Sequence, residues 1–204
     1  MGTDINMYAE QRRDGQWRLL GPMEENHEFF TDEDPDGAPY KPVEVYDPRN
    51  SALFAILADV RNPRFGEAPY ECIAPLRGLP DDLSPEVAAW ANYGDDAQDG
   101  SWLTLRELLA FDWYGKFHQH THWVDERIAH LFAPNRPFPQ RPVEMSEVEF
   151  IRYVYYTAPD RKGAQVYWTD TYADAAGPAF MQGVIGALQE AGDPDDMRIV
   201  FWFS

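Results

Sequence analysis

The chain has 204 residues, with 35 acidic against 17 basic side chains and a formal charge of −18 at pH 7. Such a field opposes nonspecific approach to nucleic acid or to anionic lipid, so neither direct duplex binding nor a membrane partner is expected. Hydrophobic residues at 44% and aromatics at 15% can build a core without disulfides, and the one cysteine, Cys72, forms no internal bridge. The first residues lack a basic and apolar leader and no apolar run is long enough to span a bilayer, so a cytoplasmic protein is the expectation.

In chain order, Asp14-Gly15 lies between two short strand-like segments and predicts a β-hairpin, because it supplies the positive φ of a primed turn. Residues 24–39 carry seven acids and no Lys or Arg, and Pro35, Gly37 and Pro39 make them a solvated loop in which His27 sits idle. Asn50 or Ser51 caps a helix with Leu53, Ile56, Leu57 and Val60 on one face, closed by Asn62-Pro63. Ser84-Pro85-Glu86 starts a short helix running to about Trp90. The polar loop YGDDAQDGS follows, and then Thr104 and Glu107 form a capping box ahead of Leu105, Leu108, Leu109 and Phe111.

Four prolines between Ala133 and Pro142 predict an extended connector, and Ser146 with Glu149 caps a helix bearing Ile151, Val154 and Tyr155. Its β-branched and aromatic content suits a strand as well. The last third reads as strand AQVYWTDT, a helix ending at Gly192, and strand MRIVFWF, a β-α-β unit. Together these elements predict a single α+β domain over residues 1–204, with a mixed β-sheet of about four or five strands and packed helices.

Three constellations carry possible chemistry. FHQHTHW sets His118, His120 and His122 on one face of a strand, where imidazoles converge on a transition metal; on a helix, His118, His122 and Asp125 share a face instead. The spacing matches neither a zincin nor a metallo-β-lactamase, and an apolar stripe beside the histidines gives a structural alternative. Asp4 and Glu10 have an even separation and could hold a divalent metal with Asp170 or the Gly94-Asp95-Asp96 loop, although a chain with 35 acids places such pairs by chance. Arg49, Arg61, Arg64 and Arg77 could clamp a phosphate or carboxylate, with Asn50 adding a donor and Trp102, Trp113, Trp168 or Tyr172 stacking on a base. Neutralising nearby carboxylates is the plainer use of those arginines. Cys72 has no histidine near it in sequence, and no nucleophile elbow, P-loop or dinucleotide fingerprint occurs.

The blocks MGTDINMYAE, RNSALFAILADVRN, PLRGLPDDLSPEV, SWLTLRELLAFDW, WTDTYAD and MRIVFWF, in order across nearly the whole chain, resemble a family of uncharacterised bacteriophage and bacterial proteins. Relatives open with Asp-Ile-His and carry His-Ser-His before the SWLTL-like block, where this chain has Asp4-Ile5-Asn6 and Asp99-Gly100-Ser101. No site built on those histidines is therefore carried over. The resemblance implies a phage-type accessory protein and no reaction.

The expectation is a non-catalytic protein that binds a small anionic, nucleotide-like ligand or a protein partner. Phosphate falls to Arg49, Asn50, Arg61 and Arg77, and stacking to Trp102 or Tyr172. No cofactor is expected, and a divalent metal enters only with the alternative of a hydrolase using Asp4, Glu10, His118, His120 and His122. A second alternative is an acidic mimic of nucleic acid acting through residues 24–36.

Overall fold

The structure, a computed structural model, describes residues 4–27, 38–63, 68–92, 98–155 and 162–203. In chain order they form strands β1 (Ile5–Arg13), β2 (Gln16–Leu19), β3 (Met23–Glu25) and β4 (Tyr40–Pro42), then helices α1 (Ser51–Ala58) and α2 (Pro85–Ala91). Strand β5 (Gln98–Thr104), helix α3 (Leu105–Ala110), strand β6 (Phe117–Asp125) and helices α4 (Glu126–Ala129) and α5 (Glu147–Val154) follow. Strand β7 (Gly163–Thr171), helix α6 (Tyr172–Ala176), a π-helical stretch Ala179–Gly186, helix α7 (Ala187–Ala191) and strand β8 (Met197–Phe203) complete the α+β fold. The chain divides into two compact units, one of Met1–Asn62, Glu71–Phe111 and Ala176–Ser204, the other of Pro63–Tyr70 and Asp112–Ala175.

The first unit is built on a four-stranded sheet of order β2-β1-β8-β5. Asp14 and Gly15 take φ of 52° and 78° and join β1 to β2 in the expected two-residue turn. Strand β8 is buried along its whole length, and alternation along it feeds two cores. On one face Phe203 meets Phe54 of α1 edge-on at 5.1 Å; on the other, Val200 and Trp202 pack with Tyr8, Val87 and Ala91. The Asn50 side chain accepts from Leu53 N at 3.0 Å and caps α1, which ends at Asp59, held at φ 62°, three residues before Asn62.

One charged side chain interrupts β8. Arg198 is 2% exposed and lies opposite Glu10, itself fully buried, on β1. Its Nε donates to Glu10 Oε2 at 2.7 Å, while its other nitrogens donate to Asp82 Oδ1 at 2.8 Å and Asp82 O at 3.0 Å. The second Glu10 oxygen accepts from Ser84 N at 2.7 Å. The guanidinium also lies 4.0 Å from the Trp17 ring centroid.

The second unit is a two-stranded antiparallel ribbon, β6 with β7, backed by α4 and α5. Val124 and Val166 on its inner face pack with Ile128, Phe150 and Val154. Capping boxes at Thr104–Glu107 and Ser146–Glu149 form as the spacing predicts.

Three expectations need correction. The last third is no β-α-β unit: β7 pairs with β6, and β8 lies in the other unit's sheet. All pairings of that four-stranded sheet are consequently antiparallel rather than mixed. Part of the expected loop before SWLTL is strand: β5 begins at Gln98 and passes a bulge between Gln98 and Ser101, which accommodates Asp99 at φ 50° and Gly100.

Removing one partner of the buried pair leaves an uncompensated charge, so Arg198→Ala is expected to cost about 3–5 kcal/mol in urea unfolding. The double replacement Glu10→Leu with Arg198→Met should cost less. A loss below about 1 kcal/mol for the single variant contradicts this account.

Candidate functional site

The arginines expected to hold a phosphate are mostly engaged within the chain. Arg49 pairs with Asp4, its Nη2 donating to Oδ2 at 2.8 Å, and this exposed contact holds the Asp4 carboxyl below its usual range. Arg77 forks onto Glu107, with one bond of 3.1 Å, donates to Trp102 O at 3.3 Å and stands 4.9 Å from the Trp102 ring centroid. Asn50 is the α1 cap and also donates to Ala176 O at 3.1 Å. Arg61 is exposed at φ 52°, while Arg64 lies outside the described residues. Tyr172 belongs to the second unit and meets Tyr70 edge-on at 5.2 Å, 5% exposed, so its ring is used in packing.

The carboxylates expected to share a metal do not form one site: Asp4 holds Arg49, whereas Glu10 holds Arg198 in the core. Asp95 and Asp96 lie outside the described residues, as do residues 28–37 of the acidic loop. His27, at its described end, is exposed and 3.5 Å from Glu25.

FHQHTHW is a strand, and its histidines do share a face. That face is a stack of rings. His118 is buried and lies parallel to Tyr70 at 3.8 Å; His120 lies parallel to Trp168 at 4.8 Å, with its Nε2 3.4 Å from Asp170 Oδ2. Asp170 in turn accepts from Trp168 Nε1 at 2.9 Å and Phe138 N at 3.2 Å. His122 is exposed. Among the described residues, no group of three or more His, Cys, Asp or Glu side chains is arranged to hold a metal ion.

Arg12, Trp17, Arg198, Trp102 and Arg77 form a ladder of alternating cations and rings across the first sheet, with separations of 5.6, 4.0, 5.9 and 4.9 Å. A cavity of about 280 Å³ opens beside it, lined by Gly15, Gln16, Trp17, Asp82, Leu83 and Pro85. Its charged lining residue is an acid, which disfavours an anionic occupant.

The feature that sequence reasoning missed is on α5. Phe150 and Val154 face the core, leaving Val148, Ile151 and Tyr155 at i, i+3 and i+7 on the outer face, 77%, 48% and 68% exposed. Arg152 and Glu147, on the same helix, are exposed beside this stripe. Among the described residues, nine of thirteen exposed large apolar side chains fall in the second unit, so apolar exposure is concentrated there.

No family model, curated protein or solved structure matches the chain.

Glu44 is a second group the sequence does not mark. Although the residue is exposed, desolvation of its carboxyl pushes it up to about 7. The hydrogen bond from the Tyr8 hydroxyl at 3.4 Å opposes that rise, while the charge of Asp47 adds to it. A carboxyl raised on folding favours the native state while protonated. Its contribution is lost as pH climbs from about 4.5 to about 7, because the unfolded chain releases that proton first. Thermal unfolding across that window should show wild type losing stability relative to Glu44→Gln; a parallel pair of curves contradicts the assignment.

Proposed function

We propose that the chain is a non-catalytic, phage-type accessory protein that binds a protein partner through the outer face of α5. The observation that carries this reading is the exposed stripe of Val148, Ile151 and Tyr155 on a helix whose other face is already committed to the core. A helix with two apolar faces has one more than its own unit needs, and the spare face fits a hydrophobic groove. The helix carries both Glu147 and Arg152 beside the stripe, so the preference for a basic partner comes from the charge of the chain rather than from that rim. The formal charge of −18 steers such a basic partner towards the chain.

The nucleotide-like ligand has less support, since Arg49 and Arg77 already face carboxylates and Tyr172 is buried. The hydrolase has less still, because its five expected residues do not gather around one point within either unit.

Wild type and Val148→Glu/Ile151→Glu, immobilised side by side, should differ in what they retain from host extract. A partner held by wild type, weakened by salt and lost from the variant at unchanged melting temperature is the expected result. Equal retention by both removes α5 from the function. Near-stoichiometric metal in purified protein that disappears in His120→Ala would replace this reading with the hydrolase.

A further inference from the structure

One face of the β6–β7 ribbon lies outside the core. His118, Val124 and Val166 are buried on the inner face, the two valines against Ile128, Phe150 and Val154, so the odd-numbered residues of both strands form the outer one. Three rings stand on it: Phe117 at 63%, Trp123 at 58% and Tyr167 at 39% exposed. Tyr167 pairs with Thr121 and Gln165 with Trp123, so Trp123 and Tyr167 are diagonal neighbours across the strands. Phe117 stands at the other end of β6, about 20 Å from Trp123 at the usual rise of a strand.

Between the rings the face is polar. Gln119 and Gln165 are exposed, and each amide has both donor and acceptor atoms. Gln165 gives one N–H to Thr121 Oγ1 at 3.1 Å, while the Thr169 and Thr171 hydroxyls donate to Pro134 O and Asp174 Oδ2. The odd positions from Phe117 to Trp123 and from Gln165 to Thr171 include no Asp, Glu, Lys or Arg. The charge of this face comes at its end, where Asp125 is 4% exposed and forks onto Arg127 with bonds of 2.8 and 2.6 Å.

Rings with amides between them match one class of ligand. A pyranose has an apolar C–H face that lies flat on an aromatic ring, and a rim of hydroxyls that donate and accept as an amide does. A single-stranded nucleic acid would stack as well, but its phosphates would meet no cation between the rings and a formal charge of −18 on the chain. An apolar protein surface would bury the amides of Gln119 and Gln165 without partners. We propose that the outer face of the ribbon binds a neutral oligosaccharide, one sugar stacked at Trp123 and Tyr167 and the chain running past Gln119 towards Phe117. A span of about 20 Å calls for several sugar units, so a single sugar fills only one end. Helix α5 packs against the opposite face of the ribbon, so this proposal and the partner reading stand or fall separately.

Titration calorimetry of the full chain tests it, with linear hexasaccharides of glucose, mannose, galactose and N-acetylglucosamine, each beside its monosaccharide, and with decaproline. At least one hexasaccharide should bind wild type with a dissociation constant between about 10 µM and about 1 mM, and its monosaccharide about tenfold more weakly. Trp123→Ala should weaken that hexasaccharide's binding about tenfold at unchanged melting temperature, and added salt should leave it unaltered, since no ion pair is made. Val148→Glu/Ile151→Glu, on α5, should bind as wild type does. Failure of every hexasaccharide to bind, or binding that Trp123→Ala leaves intact, overturns the proposal. So does tighter binding of decaproline that Trp123→Ala abolishes, which would assign the rings to a proline-rich peptide. If Trp123→Ala does not fold, Tyr167→Ala gives the same reading from the neighbouring ring.

Discussion

The ion pair of Glu10 with Arg198 is the constraint on which the first unit turns. Two opposite charges sit almost without exposure on adjacent strands that are 188 residues apart in the chain. A buried pair of this kind contributes little net stability over apolar residues, but it is intolerant of error. A slip of one residue between β1 and β8 would move Arg198 to the face where Phe201 and Phe203 pack, with no carboxylate to meet it. The pair thus specifies the register of the central strands. Through Asp82 and Ser84 N it also anchors the approach to α2, whose hydroxyl cap is not made: Ser84 gives its N–H to Glu10 rather than its Oγ to the helix.

Local signals were legible because their partners are near in sequence. Asp14-Gly15, the Asn50 cap and the two capping boxes each involve groups within about four residues, and each formed as read. Strand pairing is not local. MRIVFWF and AQVYWTDT both look like strands, yet nothing in either states which sheet it joins, and a β-α-β crossover was the simplest connection. Strand β5 escaped because Asp99 and Gly100 oppose strand formation, and the bulge that absorbs them is defined only by β8.

The same distinction governs the candidate sites. The histidine triplet was read with the right geometry, three imidazoles on one strand face, but its partners Tyr70 and Trp168 are 48 residues away in either direction from His118 and His120 respectively. Stacking rather than metal is what those partners offer. The arginines were likewise visible, whereas Asp4 and Glu107, which occupy Arg49 and Arg77, lie 45 and 30 residues from them. On α5 the sequence offered two apolar faces, and grouping Ile151, Val154 and Tyr155 mixed them. Only the position of Phe150 and Val154 against Val124 and Val166 separates the core face from the spare one.

The second unit therefore departs from the usual economy of a small α+β fold at α5, a helix with apolar side chains on its outer as well as its inner face. Such a face is costly in isolation, since exposed apolar surface favours nonspecific association. The rest of the chain supplies the restraint. A formal charge of −18 keeps copies of the chain apart. The aromatic stack under β6 contributes in another way, because His118 on Tyr70 and His120 on Trp168 brace the inner face of a two-stranded ribbon that would be marginal alone. FHQHTHW thus turns His118 and His120 inward, where they secure the strand against Tyr70 and Trp168, while Phe117 and Trp123 remain exposed on its other face.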